Sequence, residues 1–145
     1  MSPLPRKVVI DACVLADYII SDLLLRLAES PLVIAPRWSA EIFREVRRTH
    51  QKLGWGDKYV EGWQVAVSEA FPESCYDPPP ELLAPLNNSL KDRHVLATAI
   101  MSQAHLIITY NLRDFKPAAL AAWGIVAQAP DDFLCEMYHA HADLM

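Results

Sequence analysis

Short apolar runs alternate with longer amphipathic segments along this chain. Residues 7–10 form a mostly apolar, β-branched run that leads directly into Asp11, a pattern typical of a strand buried in a sheet. Other short runs have the same character, the shortest being Cys75-Tyr76 and Ile125-Val126. The pattern predicts strands at residues 7–10, 31–36, 75–76, 106–109 and 125–126.

The segments between these runs have apolar residues at the spacing of amphipathic helices. They predict helices at residues 14–28, 39–53, 58–71, 89–104, 117–123 and 131–141. The first of these helices is expected to bury one face, formed by Leu15, Ile19, Leu23 and Leu27. The second is expected to turn three apolar residues inward, namely Ile42, Val46 and Leu53.

Strands that alternate with helices predict an α/β fold, here a three-layer α/β/α sandwich around a parallel sheet of about five strands. The Pro-rich stretch 77–80 has the composition of a linker. Neither flanking half has enough strands to close a core by itself, so we interpret residues 1–145 as a single domain.

Composition narrows the class of protein. The 145 residues are 52% hydrophobic and 21% charged, as in an ordinary globular domain, and a net charge of −5 excludes a strongly basic coat for nucleic acid. The three widely separated cysteines form neither a zinc motif nor a disulfide framework, which suits a reducing compartment. We see no signal peptide and no apolar run of the ~20 residues that a membrane span needs, so a cytoplasmic protein with no membrane contact is expected.

Carboxylates gather where the predicted strands end. Ligands of open α/β sheets bind outside the carboxyl ends of the strands, and several acidic or amide residues fall at or near those ends. They are Asp11, Glu41, Glu45, Asp92, Asn111 and Asp114. So many carboxylates at one end of a sheet would repel each other unless a cation neutralised them, and hard oxygen ligands suit Mg²⁺ or Mn²⁺. Such ions can activate water and stabilise in-line attack on a phosphodiester.

Each of these residues also has a purely structural interpretation. Ser89 and Asp92 have capping-box spacing, and Asn111 has the same relation to Asp114. Glu41 and Glu45 could form a solvated helix face that pairs with neighbouring arginines. Asp11 is the hardest to explain in this way, because a carboxylate directly after a buried strand needs partners. Only the joint placement of the acids favours chemistry.

Two other chemistries fit less well. The four glycines form neither a dinucleotide-binding fingerprint nor a P-loop. Cys13 is close to Asp11, and a negative neighbour raises the pKa of a thiol and disfavours a nucleophilic thiolate. We therefore interpret Cys13 as a small buried hydrophobe and the four tryptophans as packing residues.

Four segments of the sequence resemble the PIN-domain ribonucleases, in particular their VapC-type, toxin-like branch. Residues 8–15 (VVIDACVL) are similar to the family's opening strand and first acid, and residues 38–48 (WSAEIFREVRR) to its second-acid helix. Residues 91–99 (KDRHVLATA) resemble the third-acid helix, and residues 108–115 (ITYNLRDF) the strand and NLxDF motif. The resemblance spans nearly the whole chain.

The resemblance implies a three-layer fold and an Mg²⁺- or Mn²⁺-dependent endoribonuclease, the toxin of a toxin–antitoxin pair. Its catalytic and metal-binding acids would be Asp11, Glu45, Asp92 and Asp114, with Glu41 as the competing second acid. Asn111 would orient a ligand or a phosphate oxygen. A homodimer, an RNA substrate and an antitoxin partner are also implied.

One departure from the branch concerns the residues before the third acid. Further aspartates are usual there, whereas this chain has Ser89 and Lys91. Lys91 would either weaken metal binding or contact phosphate. The alternative function is therefore a catalytically weak PIN-fold module that binds RNA or an antitoxin.

A basic segment lies beside the second acid. Residues 37–58 carry six basic side chains against three acidic ones, which leaves the remainder of the chain at −8. Within this segment, Arg47 and Arg48 are the candidates for holding an RNA backbone. An ordinary surface helix with a positive side explains the same residues equally well.

Overall fold

The computed structural model describes residues 5–29, 33–83 and 93–140. Its centre is a sheet of four parallel strands in the order β2-β1-β3-β4. The strands are β1 (Arg6–Ile10), β2 (Ile34–Arg37), β3 (Leu106–Ile108) and β4 (Val126–Gln128). The α/β class and the parallel sheet are thus confirmed.

Helices flank the sheet. They are α1 (Ala12–Leu15), α2 (Tyr18–Glu29), α3 (Ala40–Lys52), α4 (Asp57–Ala70), α5 (Pro80–Leu83), α6 (Arg93–Met101), α7 (Pro117–Ala121) and α8 (Pro130–Ala140). A single 3₁₀ turn, Leu112–Asp114, follows β3. The predicted start of the helix at 89–104, residues 31–32 of the second predicted strand and the last residue of the helix at 131–141 lie outside the described residues.

The two central strands are the most completely buried elements. Val8, Val9 and Ile10 of β1 and Ile107 and Ile108 of β3 have no exposed surface. Helix α6 packs on both strands, and four of its residues from Val95 to Ala99 are fully apolar and buried. Burial on both faces explains why these strands are continuous apolar runs, as the sequence predicted.

The predicted strand at residues 75–76 is reduced to one bridge. Cys75 pairs with Trp38, whose N–H donates to Ser74 O at 3.0 Å and whose carbonyl accepts from Tyr76 N at 2.8 Å. Three prolines, at positions 78–80, follow after Asp77 and cannot donate to a ladder, so the strand does not extend further. The prediction of about five strands was therefore wrong, and the described residues form four.

The first predicted helix is two helices, and this changes which face it buries. Asp17 Oδ1 accepts a hydrogen bond from Ile20 N at 3.2 Å, an N-cap that starts α2 anew after α1. As a result Ile19 is 69% exposed and Leu23 44% exposed, while Leu24 is buried. The predicted apolar face was thus wrong at Ile19 and Leu23.

Helix α3 agrees with its prediction except at its end. Ser39 caps it by accepting from Ile42 N at 3.1 Å, and Ile42 and Val46 are fully buried. Leu53, expected to point inward, lies beyond the last turn and is 63% exposed. Within the described residues, no helix combines the length and apolar character that crossing a membrane requires.

Candidate functional site

The centre of the sheet is the place where the chain changes winding direction. From β1 the chain goes to β2 on one side, and later to β3 and β4 on the other. Crevices of this kind, at the carboxyl ends of two strands that diverge in the topology, are the usual ligand sites of open α/β sheets. The residues that follow β1 and β3 are therefore the candidates for the functional site.

Asp11 stands at this crevice, and its carboxylate is held on both oxygens. It is 5% exposed; Oδ1 accepts from Ala12 N at 2.8 Å, and Oδ2 accepts from the Thr109 hydroxyl at 2.7 Å. The bond to Ala12 makes Asp11 the N-cap of α1, and Asp11 N itself donates to Ile108 O at 3.0 Å. The carboxylate is therefore fixed between the ends of β1 and β3. We call Asp11, Cys13, Thr109 and Asn111 the carboxyl edge.

Cys13 and Asn111 complete the carboxyl edge. Cys13 Sγ lies 3.5 Å from Asp11 Oδ2 and 3.7 Å from Thr109 Oγ1, and burial and the Asp11 charge raise the pKa of this thiol to about 11. Cys13 is half-buried and stays a neutral thiol, as expected from the sequence. The Asn111 amide donates to Cys13 Sγ at 3.8 Å and, contrary to the structural interpretation of Asn111, makes no capping bond to the turn that follows.

Of the two other predicted acids, the structure describes Asp114, which follows β3, but not Asp92, which precedes α6. Asp114 is half-buried at the end of the 3₁₀ turn, where its N–H donates to Asn111 O at 3.0 Å. Asp92 lies outside the described residues, together with Ser89 and Lys91. The capping-box interpretation of Asp92 therefore stays a prediction.

Glu45 is on the inner side of α3 and faces α6. Its Oε1 lies 3.0 Å from His94 Nε2, and the two side chains are only 16% and 12% exposed. The approach does not have the angle of a hydrogen bond, so within the described part of the chain the buried Glu45 Oε1 and both His94 nitrogens have no hydrogen-bond partner. Buried polar atoms without partners are uncommon and mark a place where another ligand can be accommodated.

Glu41, the competing second acid, is engaged elsewhere. It accepts from Arg44 Nε at 2.8 Å and lies 3.5 Å from Arg48 Nη2, and its side chain is 38% exposed. The hydrogen bond from Arg44 lowers the pKa of Glu41. One turn of helix thus separates Glu41, which is solvated and paired with arginines, from Glu45, whose side chain is only 16% exposed.

A groove of about 680 Å³ opens beside Glu45. Glu45 and His94 line it together with Glu41, Arg48 and Asp77, so it has both charge signs. Arg48 is exposed and paired with Glu41, whereas Arg47 is exposed and lines the neighbouring groove along α3. The two arginines are thus accessible, but only Arg48 borders the groove that contains Glu45.

The described residues do not bring the predicted acids to one common centre. Asp11 belongs to the carboxyl edge, Glu45 is paired with His94, and Asp114 ends the turn after Asn111. Among residues 5–29, 33–83 and 93–140, no three His, Cys, Asp or Glu side chains are grouped closely enough to hold a metal ion.

Sequence reasoning missed two residues of this region. Thr109, predicted only as the end of a strand, donates a hydrogen bond of 2.7 Å to Asp11. His94 was not among the predicted site residues, yet it is the residue that faces Glu45. A polar β-branched residue ending an otherwise apolar strand was the available signal for Thr109, whereas the α3–α6 contact had no local signal.

The comparison with known proteins gives a partial relative. No protein-family model matches this chain. Over 56 residues the chain is 48% identical to a protein of Mycobacterium tuberculosis named "Putative ribonuclease VapC50". The match covers 39% of this chain and 33% of that protein, so the chain matches about one third of the relative's length. Over that stretch, the identity supports the resemblance to the VapC-type PIN ribonucleases.

Proposed function

We propose that this protein is a metal-dependent endoribonuclease that hydrolyses RNA phosphodiester bonds and is the toxin of a toxin–antitoxin pair. The observation that carries the proposal is the carboxylate of Asp11, buried at the crevice between β1 and β3 and fixed there by Thr109. The partial match to the mycobacterial protein, whose name gives it as a ribonuclease, supports the same class of chemistry. Homodimerisation and an antitoxin partner are part of the proposal.

The side chains fit Mg²⁺ or Mn²⁺ in their chemistry. Asp11 and Glu45 offer carboxylate oxygens, and among residues 5–29, 33–83 and 93–140 no hydrogen-bond donor reaches the buried Oε1 of Glu45. The residues proposed to hold the cation are Asp11, Glu45, Asp92 and Asp114; Asp92 lies outside the described residues, and the other three do not meet at one centre in this structure. When bound, a divalent cation supplies charge neutralisation at the phosphodiester and polarises it toward attack by water.

Residues of the protein itself orient the carboxylate and position the RNA. Thr109 and the Ala12 N–H hold the Asp11 carboxylate in one orientation, so it needs no reorganisation during the reaction. The exposed amide of Asn111 orients a phosphate oxygen at the same edge. Arg47 and Arg48 hold the RNA backbone along α3, which positions the scissile bond without reading its sequence.

The test is RNA cleavage by the purified full chain, with Mn²⁺, with Mg²⁺ and with EDTA. The wild type is expected to cut a mixed RNA panel only with metal, and Asp11→Asn and Asp92→Asn to abolish the cutting. Asp22→Asn is the matched control, because Asp22 is exposed in a surface ion pair with Arg26 and should cut like the wild type. A parallel panel of DNA strands tests whether the 2′-hydroxyl is needed.

Two results would contradict the proposal. Cleavage that persists in EDTA or in both aspartate variants would remove the acidic site from the reaction. No cleavage by a folded protein freed of any bound partner would favour the alternative, a module that binds RNA or an antitoxin without cutting. In that case, RNA cleavage by Lys91→Asp would show that the missing acid is the reason why the wild type does not cut.

A further inference from the structure

A groove lined by aromatic side chains lies at the turn between α3 and α4. It has a volume of about 890 Å³, and we call it the aromatic groove, lined chiefly by Tyr18, Trp55, Lys58, Tyr59, Gly62 and Trp63. Tyr59 is 77% exposed and Tyr18 67% exposed, so neither ring is buried in the core. Exposed aromatic residues gathered around one concavity are typical of a binding site rather than of packing.

Trp55 is held in a fixed position within the groove. Its ring stacks on His50 with centroids 3.8 Å apart and planes 5° apart, and His50 is fully buried. Trp63 meets His50 edge-on at 5.4 Å, and Tyr18 meets Trp55 edge-on at 6.4 Å. His50 covers one face of the indole, and Trp55 is partly exposed. A ligand that stacks there meets a surface already ordered.

The groove also has a positively charged side chain and open space. Lys58 lines it and makes no ion pair with any residue in the described ranges, and it belongs to the basic segment 37–58. Gly62 contributes to the wall, and a Cβ added to it would meet no atom within 4 Å. A flat ring therefore has room beside Tyr59, with a positive charge near it.

The groove is connected to the carboxyl edge through two residues. Tyr110 lies between Thr109 and Asn111 in sequence, and its hydroxyl donates to Asp17 Oδ2 at 3.0 Å. Asp17 in turn directly precedes Tyr18, which lines the aromatic groove. This hydrogen bond connects the carboxyl edge to the aromatic groove, and Tyr110 itself is 45% exposed.

We propose that the aromatic groove binds an unpaired nucleobase of single-stranded RNA, which stacks on Trp55 and Tyr59 while Lys58 contacts the adjoining phosphate. The inference rests on the proposed function, since it names where the same substrate is held beyond the cleaved bond. Aromatic rings beside a cation are the usual platform for single-stranded bases. A docked apolar helix or a second copy of the chain would use the rings but would have no need of the unpaired Lys58.

The test is the binding of fluorescein-labelled oligoadenylate to the full chain in EDTA, followed by fluorescence anisotropy. Tyr59→Ala and Gly62→Glu are expected to weaken binding about tenfold, the loss that removal of one stacked base causes. Tyr59→Phe, which keeps the ring, should bind like the wild type. The matched controls are Tyr138→Ala, which removes a tyrosine on α8 that is 54% exposed, and Gly62→Ala, which adds only a methyl group; both should stay within about twofold.

A labelled oligomer of the same length without bases separates stacking from charge. The Tyr59→Ala loss should vanish with that probe, because only the phosphate contacts remain. Unchanged oligoadenylate binding by Tyr59→Ala and Gly62→Glu would overturn the inference. So would an equal loss on the base-free oligomer, or a change in oligomeric state by light scattering with RNA affinity intact, which would make the groove a protein interface.

The outcomes also separate this inference from the proposed function. A wild type that cuts RNA, with groove variants that bind it normally, contradicts the groove alone. A wild type that binds through the groove but never cuts contradicts the nuclease and leaves the base-binding site in place.

Discussion

The carboxyl edge and the aromatic groove depart from the usual distribution of polar and apolar groups in opposite ways. At the carboxyl edge a carboxylate and a hydroxyl, those of Asp11 and Thr109, are buried and bonded to each other. In the aromatic groove the rings of Tyr18 and Tyr59 are exposed and contribute little to the core. Buried polar groups need fixed partners, whereas exposed rings are available to a ligand, so we expect changes at the first to affect stability and changes at the second to affect binding alone.

The largest effect on stability is expected from Asp11→Ala. The substitution removes the N-cap acceptor for Ala12 N and the acceptor for the Thr109 hydroxyl, and it should lower the free energy of unfolding by about 3 kcal/mol. Tyr59→Ala, in the aromatic groove, should change it by less than about 0.5 kcal/mol. Urea unfolding followed by circular dichroism measures both. An Asp11→Ala variant as stable as the wild type would mean that repulsion among the carboxylates outweighs these bonds.

A smaller loss is expected from Thr109→Val, which keeps the shape and removes the hydroxyl. Asp11 Oδ2 then loses a donor at 2.7 Å and Asn111 N loses an acceptor at 3.0 Å, so the free energy of unfolding should fall by about 2 kcal/mol. Thr109→Ser retains the hydroxyl and should recover most of the loss. RNA cleavage should fall with Thr109→Val and return with Thr109→Ser. Equal behaviour of the two variants would show that the hydroxyl does not hold the carboxylate.

The smallest effect concerns His50, which supports the aromatic groove from beneath. Burial lowers its pKa from the ordinary 6.5, so the unfolded chain binds the proton more readily than the folded one. Above about pH 6.5, His50 is neutral in both states and does not destabilise the fold. As the pH falls from there toward the pKa that His50 has in the folded protein, the free energy of unfolding decreases. Unfolding free energies measured across this range should decline less steeply for His50→Phe, which keeps a ring against Trp55. If the free energy of unfolding of His50→Phe declines with pH as steeply as that of the wild type, His50 is not the source of this pH dependence.

Much of the fold was predictable from the sequence because the central strands are buried on both faces. Such strands are continuous apolar runs, and residues 7–10 and 106–109 match β1 and β3 to within one residue at each end. The first helix was predicted as one because its apolar spacing continues across Asp17. There, a side-chain cap restarts the helix and changes its phase, which hydrophobic periodicity alone does not show.

The site was less predictable, because it depends on contacts distant in sequence. The position of Asp11 at the end of β1 follows from local pattern, but its bond to Thr109 joins residues 98 positions apart. Likewise, nothing local to α3 distinguishes Glu45, which faces His94, from Glu41, which pairs with two arginines. The resemblance alone favoured Glu45, and the structure adds the physical difference between the two glutamates, the contact of Glu45 with His94 on α6.

The two glutamates of α3 therefore provide the most direct test of the central claim, that the proposed acidic residues, Glu45 among them, hold the cation used to cut RNA. The measurement is the rate of RNA cleavage as a function of Mn²⁺ concentration for the wild type, Glu45→Gln and Glu41→Gln. We predict that Glu45→Gln needs at least about tenfold more Mn²⁺ or loses the activity, and that Glu41→Gln stays within about threefold of the wild type. Equal shifts for both variants, or a shift for Glu41→Gln alone, would contradict the account.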